Sequence, residues 1–136
     1  MIKNVSKHDK DLIKAGLRRA MSRSDLRKEM ISALIIEHSD PKRKRVKTWC
    51  RCPECGLPEA ISNFQLDHIS PIVPVDKTLD DLSTNEIADR VWCERDNLRP
   101  ICKPCHKIKT RTEGIERRMH KNKRLGIVPK AKRKKK

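Results

Sequence analysis

Two stretches decide how this chain is read: LDHISP at residues 66–71 and NLRPICKPCHKIKT at residues 97–110. Between them they hold a carboxylate and an imidazole side by side (Asp67, His68), a lone amide (Asn97), and a second imidazole (His106) abutting a cysteine pair. An Asp-His dipeptide alone is a weak signal, because a capped or core histidine is commoner. Asn97 alone could simply cap a turn. The two stretches together, in this order, point to chemistry rather than packing.

Around them lies a strongly basic chain. Its 136 residues carry a net charge of +16, with 34 Lys and Arg against 18 Asp and Glu. The charge is segregated: residues 1–51 hold 15 basic and 6 acidic groups, residues 52–102 hold 4 and 10, and residues 103–136 hold 15 and 2. An acidic centre suits a metal, and basic flanks suit a polyanion. Solvated surface charge is the bland alternative. The size and asymmetry of the imbalance favour a nucleic-acid partner over a ribosomal or membrane-surface role. The chain opens without an apolar leader, and its longest aliphatic run, residues 33–36, is far too short to span a bilayer. An intracellular, cytoplasmic protein without a membrane partner is the expectation.

Only 35% of the residues are hydrophobic and 2% aromatic, so the core must be small and in need of a staple. The candidates are Cys52-Pro-Glu-Cys55 and Cys102-Lys-Pro-Cys105. Two-residue spacing lets both sulfurs of each pair reach one tetrahedral Zn2+, and Gly56 suits the turn after the first pair. One ion would then close the segment 56–101. A redox pair or ordinary buried thiols are the competing readings, weakened by reduced surroundings. Cys50 and Cys93 are left over. Cys50 could compete for the metal but reads better as a small buried hydrophobe.

Local pattern gives a coarse layout. Ser6–Asp9, Ser22–Asp25 and Ser83–Glu86 fit the capping box, each before a plausible helix. The expected helices cover 7–20, with Ile13, Leu17 and Ala20 on one face, then 23–38 ended by Asp40-Pro41, then 84–91, and finally 104 or 105 to about 120. Strands are expected at 46–50, 63–69 and 99–102. Residues 130–136, basic at six of seven positions, read as a solvated tail. The fold class is small α+β. A basic helical arm and linker occupies 1–45, a zinc-stapled domain 46–120 and a basic tail 121–136.

The residues Asp67, His68, Asn97 and His106, with both Cys pairs, resemble the HNH endonuclease family in its zinc-stapled, four-Cys form. The match covers about residues 49–113. LDHISP fits the family element D-H-I-x-P, and NLRPICKPCHKIKT fits N-L-x-x-L-C-x-x-C-H-x-x-K-T, with Ile101 in place of Leu. The resemblance implies a ββα-metal motif and a DNA phosphodiesterase leaving 5′-phosphate and 3′-hydroxyl ends. His68 would be the general base, because an imidazole titrates near neutrality. Asp67 and His106 would hold one divalent ion, Mg2+ or another such as Mn2+ or Ni2+. On a strand, Asp67 and His68 face opposite ways, so a turn must bring both to the site. Asn97 would orient His68 or support the metal loop. Lys109, three residues beyond His106, could contact the scissile phosphate, as could Lys107 or Arg111. His106 as a zinc ligand, beside its neighbour Cys105, is the competing reading for that residue, weakened by four better-spaced cysteines.

A free-standing nuclease of this size suggests, by analogy, a phage or mobile-element protein, whether a homing enzyme or a genome-processing one. Nothing resembles a sequence-reading module, so low or moderate specificity is expected. Nicking against double-strand cutting, and monomer against homodimer, are open. The rival function is a non-catalytic zinc-ribbon nucleic-acid binder, which has no use for Asp67, His68 and His106 together. A redox protein using C-x-x-C would leave the charge unexplained.

Overall fold

A computed structural model describes residues 5–128. The order is α1 (Lys7–Ser22), α2 (Asp25–Ser32), β1 (Ile35–Ile36), β2 (Trp49–Arg51), β3 (Pro58–Ala60), β4 (Phe64–His68), α3 (Thr84–Val91), β5 (Leu98–Cys102) and α4 (Lys103–Arg124). The class is small α+β, as expected. Strands β1-β2-β3 form one antiparallel sheet. Strands β4 and β5 form a separate antiparallel pair, with Phe64 opposite Cys102, Asp67 opposite Arg99 and His68 opposite Leu98. β5 runs directly into α4, where Pro104 falls in the first turn and needs no N–H partner.

Caps set the helix starts. The Ser6 side chain accepts from Asp9 N at 3.1 Å. Ser83 and Glu86 close a full capping box, at 3.1 and 2.7 Å, and α3 follows over the expected residues. The second expected helix is corrected. Its cap is Ser24, which accepts from Arg27 N at 3.2 Å, while Ser22 Oγ turns back to Arg19 O. The helix stops at Ser32, well short of 38. Ile35 and Ile36 are β-branched, and they pair instead with Cys50 and Trp49. Strand β3, with Pro58 at its head, was not expected. α4 runs past 120 to Arg124, so the start of the expected tail is helical. Residues 130–136 lie outside the described residues.

Two small cores result. Ile31, Cys50, Cys52, Phe64, Ile101 and Cys102 form one, joining α2 to the strands and the cysteine cluster. Ile72, Leu79, Leu82, Ile87 and Val91 form the other, inside the segment between β4 and β5, with Leu17 of α1 packed against it. The N-terminal helices are therefore not a detached arm. α1 lies on α3 and the turn at Leu79–Asp81, and α2 lies on β4 and β5. No helix among the described residues is long and apolar enough to cross a membrane.

Candidate metal centre and catalytic cleft

The four expected cysteines converge. Cys52 follows β2, Cys55 sits in the turn that Gly56 closes at φ +72°, Cys102 ends β5, and Cys105 lies in the first turn of α4. All four sulfurs lie within 4.8 Å of one another. The Cys52–Cys105 and Cys55–Cys102 separations are 4.0 and 3.9 Å. Sulfurs at about 2.3 Å from a tetrahedral zinc stand about 3.8 Å apart, so the cluster fits Zn2+ with little adjustment.

The donors are electrostatically unequal. Burial acts to raise the Cys52 thiol, but the backbone N–H groups of Cys102, Cys55 and Glu54 outweigh it and bring the thiol down to about 7. Burial pushes Cys102 and Cys105 up. Cys50 stands outside the cluster: fully buried, its thiol raised by burial, it contacts Ile31 O at 3.8 Å. The hydrophobe reading of Cys50 therefore holds. Cys93 sulfur lies 3.5 Å from Asn97 Nδ2, also away from the cluster.

A cleft of about 950 Å³ opens between α1 and α4, with Asp67, His68 and His106 among its lining residues. Asp67 is 5% exposed and lies beneath α4. Its Oδ1 is 3.7 Å from His106 Nε2 and 3.1 Å from Lys109 Nζ. Its Oδ2 faces Arg99 Nε at 3.5 Å, and both of those atoms are buried without a hydrogen bond. Two ligands each about 2.1 Å from one ion can span up to about 4.2 Å, so Asp67 and His106 fit a shared divalent cation. Lys109 is the cation in place there: it also bonds His68 O, and Glu113 at 2.8 Å.

His68 keeps the strand register, so the turn that was to bring it round to Asp67 begins only after it. Its ring takes a separate partner, Val91 O at the end of α3, 2.8 Å from Nε2. A carbonyl only accepts, so Nε2 carries the proton and the lone pair is left on Nδ1. Asn97 does not reach His68. Its Oδ1 accepts from Ser70 N at 2.8 Å, and its backbone O accepts from Ile69 N at 2.9 Å. Of the two roles expected for Asn97, the geometry matches the loop support. His106 points to Asp67 and stands apart from the four sulfurs.

Among the three lysine and arginine candidates, only Lys109 lines the cleft; Lys107 and Arg111 are exposed elsewhere on α4. Arg99 was missed. It bridges Asp67 to Glu54, inside the first Cys pair, and so ties the cysteine knuckle to the cleft floor. Its place opposite Asp67 follows from the β4–β5 register, which the sequence does not reveal. Also missed was Arg117, which bonds Val73 O and Pro74 O at 2.6 and 3.2 Å. Arg124 bonds Asp76 O in the same way. Part of the positive charge of α4 therefore fastens the segment after LDHISP.

The chain matches no protein-family model, no curated protein and no solved structure.

Proposed function

We propose that this protein is a metal-dependent endonuclease of the HNH type, hydrolysing DNA phosphodiester bonds. The observation that carries the reading is the meeting of buried Asp67 with His106, 3.7 Å apart, in a basic cleft that His68 also lines. Asp67 and His106 would hold Mg2+, Mn2+ or Ni2+, and a divalent ion there would supply positive charge for the leaving 3′ oxygen. His68 Nδ1, the unprotonated nitrogen, takes a proton from water as the water oxygen bonds to phosphorus and the bond to the 3′ oxygen breaks, the departing alkoxide then taking a proton from solvent to become the 3′-hydroxyl. Val91 O fixes which nitrogen does this. Asn97 holds the loop that follows His68. The Cys52, Cys55, Cys102 and Cys105 cluster takes structural Zn2+ and joins β2 to the start of α4, the helix that carries His106.

One observation favours a non-catalytic zinc-stabilised nucleic-acid binder instead: Lys109 already neutralises Asp67. Conversion of supercoiled plasmid by the zinc-loaded protein separates the readings. The nuclease relaxes or linearises plasmid with Mg2+ or Mn2+, stops with EDTA, and loses the activity in His68→Ala. Salt-sensitive binding without cutting under any divalent ion would establish the binder.

A further inference from the structure

The cleft has two basic walls, and only one belongs to the motif-bearing strands and helix. Lys14, Arg18 and Arg19 come from α1, and Lys103, Lys109 and Arg117 from α4. Lys14 and Arg18 lie four residues apart and so share one helix face. Only Asp67 and Glu113 oppose this charge among the lining residues. Lys14, Lys109 and Arg117 are engaged internally. Arg18, Arg19 and Lys103 are exposed and, among the described residues, make no side-chain hydrogen bond or ion pair. Their charge is free for a ligand.

We infer that this cleft takes one unpaired DNA strand, gripped through its phosphates by α1, and that the substrate is single-stranded or locally opened DNA rather than intact duplex. The inference rests on the nuclease reading only for the cutting step, not for binding. Three observations carry it. A cleft of about 950 Å³ is at the upper end of the roughly 300–1,000 Å³ that enclose a small ligand, so a few nucleotides fit between its walls while a duplex would lie only across its mouth. Asp67, at 5% exposure, lies at the floor between two helices, where a strand must enter to reach it. Phe64, the one Phe, Tyr or Trp among the lining residues, is 1% exposed, which leaves the His68 and His106 rings as the stacking surfaces, so the grip falls chiefly on the backbone.

The test is fluorescence anisotropy of zinc-loaded His68→Ala protein with one labelled oligonucleotide, single-stranded or annealed, over a salt series. The single strand should bind more tightly than the duplex. Adding Arg18→Gln and Arg19→Gln should lower the slope of log affinity against log salt by about 1.4, at about 0.7 per phosphate contact on a single strand. The same loss of charge at Lys42→Gln and Lys44→Gln, in the linker outside the cleft, should leave that slope unchanged. All four positions are exposed, and zinc content verifies folding. Equal or tighter duplex binding, or equal slope changes from both pairs, overturns the inference whether or not the wild type cuts. Failure of the wild type to cut both the single strand and supercoiled plasmid with any divalent ion, with these binding results intact, overturns the nuclease reading alone.

Discussion

Lys109 is the residue whose replacement speaks most directly to the Asp67–His106 site. Its ammonium lies 3.1 Å from Asp67 Oδ1 and 2.8 Å from Glu113, with side chains 18% and 6% exposed for Lys109 and Asp67. At that separation and an effective dielectric near 20, the attraction to Asp67 is about 5 kcal/mol before desolvation. Charged hydrogen bonds of this kind leave about 1.5–3 kcal/mol net. A divalent ion arriving at Asp67 must overcome that amount. Lys109→Met keeps the length of the side chain and removes the charge. Mn2+ should then bind roughly 10- to 100-fold more tightly, at about 1.4 kcal/mol per decade. The assay is Mn2+ titration of zinc-loaded protein without DNA, following free Mn2+ by electron paramagnetic resonance. The metal-free variant should also melt lower, because buried Asp67 is left with Arg99 as its only full-time cation, and Mn2+ should restore the loss. An Mn2+ affinity equal to or below that of the wild type, in a variant that retains its zinc, refutes the assignment of Asp67 and His106 as the cation site.

Zinc affinity should fall steeply with acid. Cys102 and Cys105 are raised, and Cys52, at about 7, also takes up its proton below that pH, which makes binding expel at least three protons there; competition against a chelator should change by at least about a thousandfold per pH unit well below 7. Cys105→Ser should abolish cooperative melting at ordinary temperature, since the cluster forms part of one of the two small cores among the described residues, and calorimetry reads this. Ser83→Ala removes one arm of the capping box and should cost about 1 kcal/mol in a urea titration, with plasmid cutting retained. Glu59 is held below the ordinary carboxylate range, chiefly by its ion pair with Arg43 at 2.6 Å. Its contribution is full above the unfolded value and is lost as pH falls through the lower folded one, so Glu59→Gln should flatten the acid limb of stability against pH.

Strong local signals are legible in the sequence. Ser83 and Glu86 fix where α3 begins, and the two Cys pairs carry their own geometry. The residues that escape such reading are those decided by tertiary partners. Ile35 and Ile36 look like the end of an amphipathic helix until β2 is there to pair with them. Pro58 argues against a strand, and β3 exists because β2 supplies its neighbour. Asn97 and His68 both belong to the motif, yet the ring's partner is Val91 O, a backbone atom that no side-chain pattern announces. The basic face of α4 reads as a surface for polyanions, while Arg117 and Arg124 direct their charge to carbonyls of the protein itself.

The hydrogen bond from His68 to Val91 has a consequence for how the segment between β4 and β5 can vary. That segment has its own apolar core, and its two ends are held by the β4–β5 pair and by Asn97 on Ser70. Lengthening a surface loop costs only about 0.6 kcal/mol per doubling, so its turns can accept insertions without disturbing the zinc cluster. Excision is different. A chain trimmed directly from Ser70 to Asn97 would retain Asp67, His68, His106 and all four zinc donors, but the imidazole would lose the carbonyl that decides its tautomer. On the nuclease reading, such a miniature, even where the zinc cluster keeps it folded without the second core, would cut poorly, with a histidine free to present either nitrogen to water.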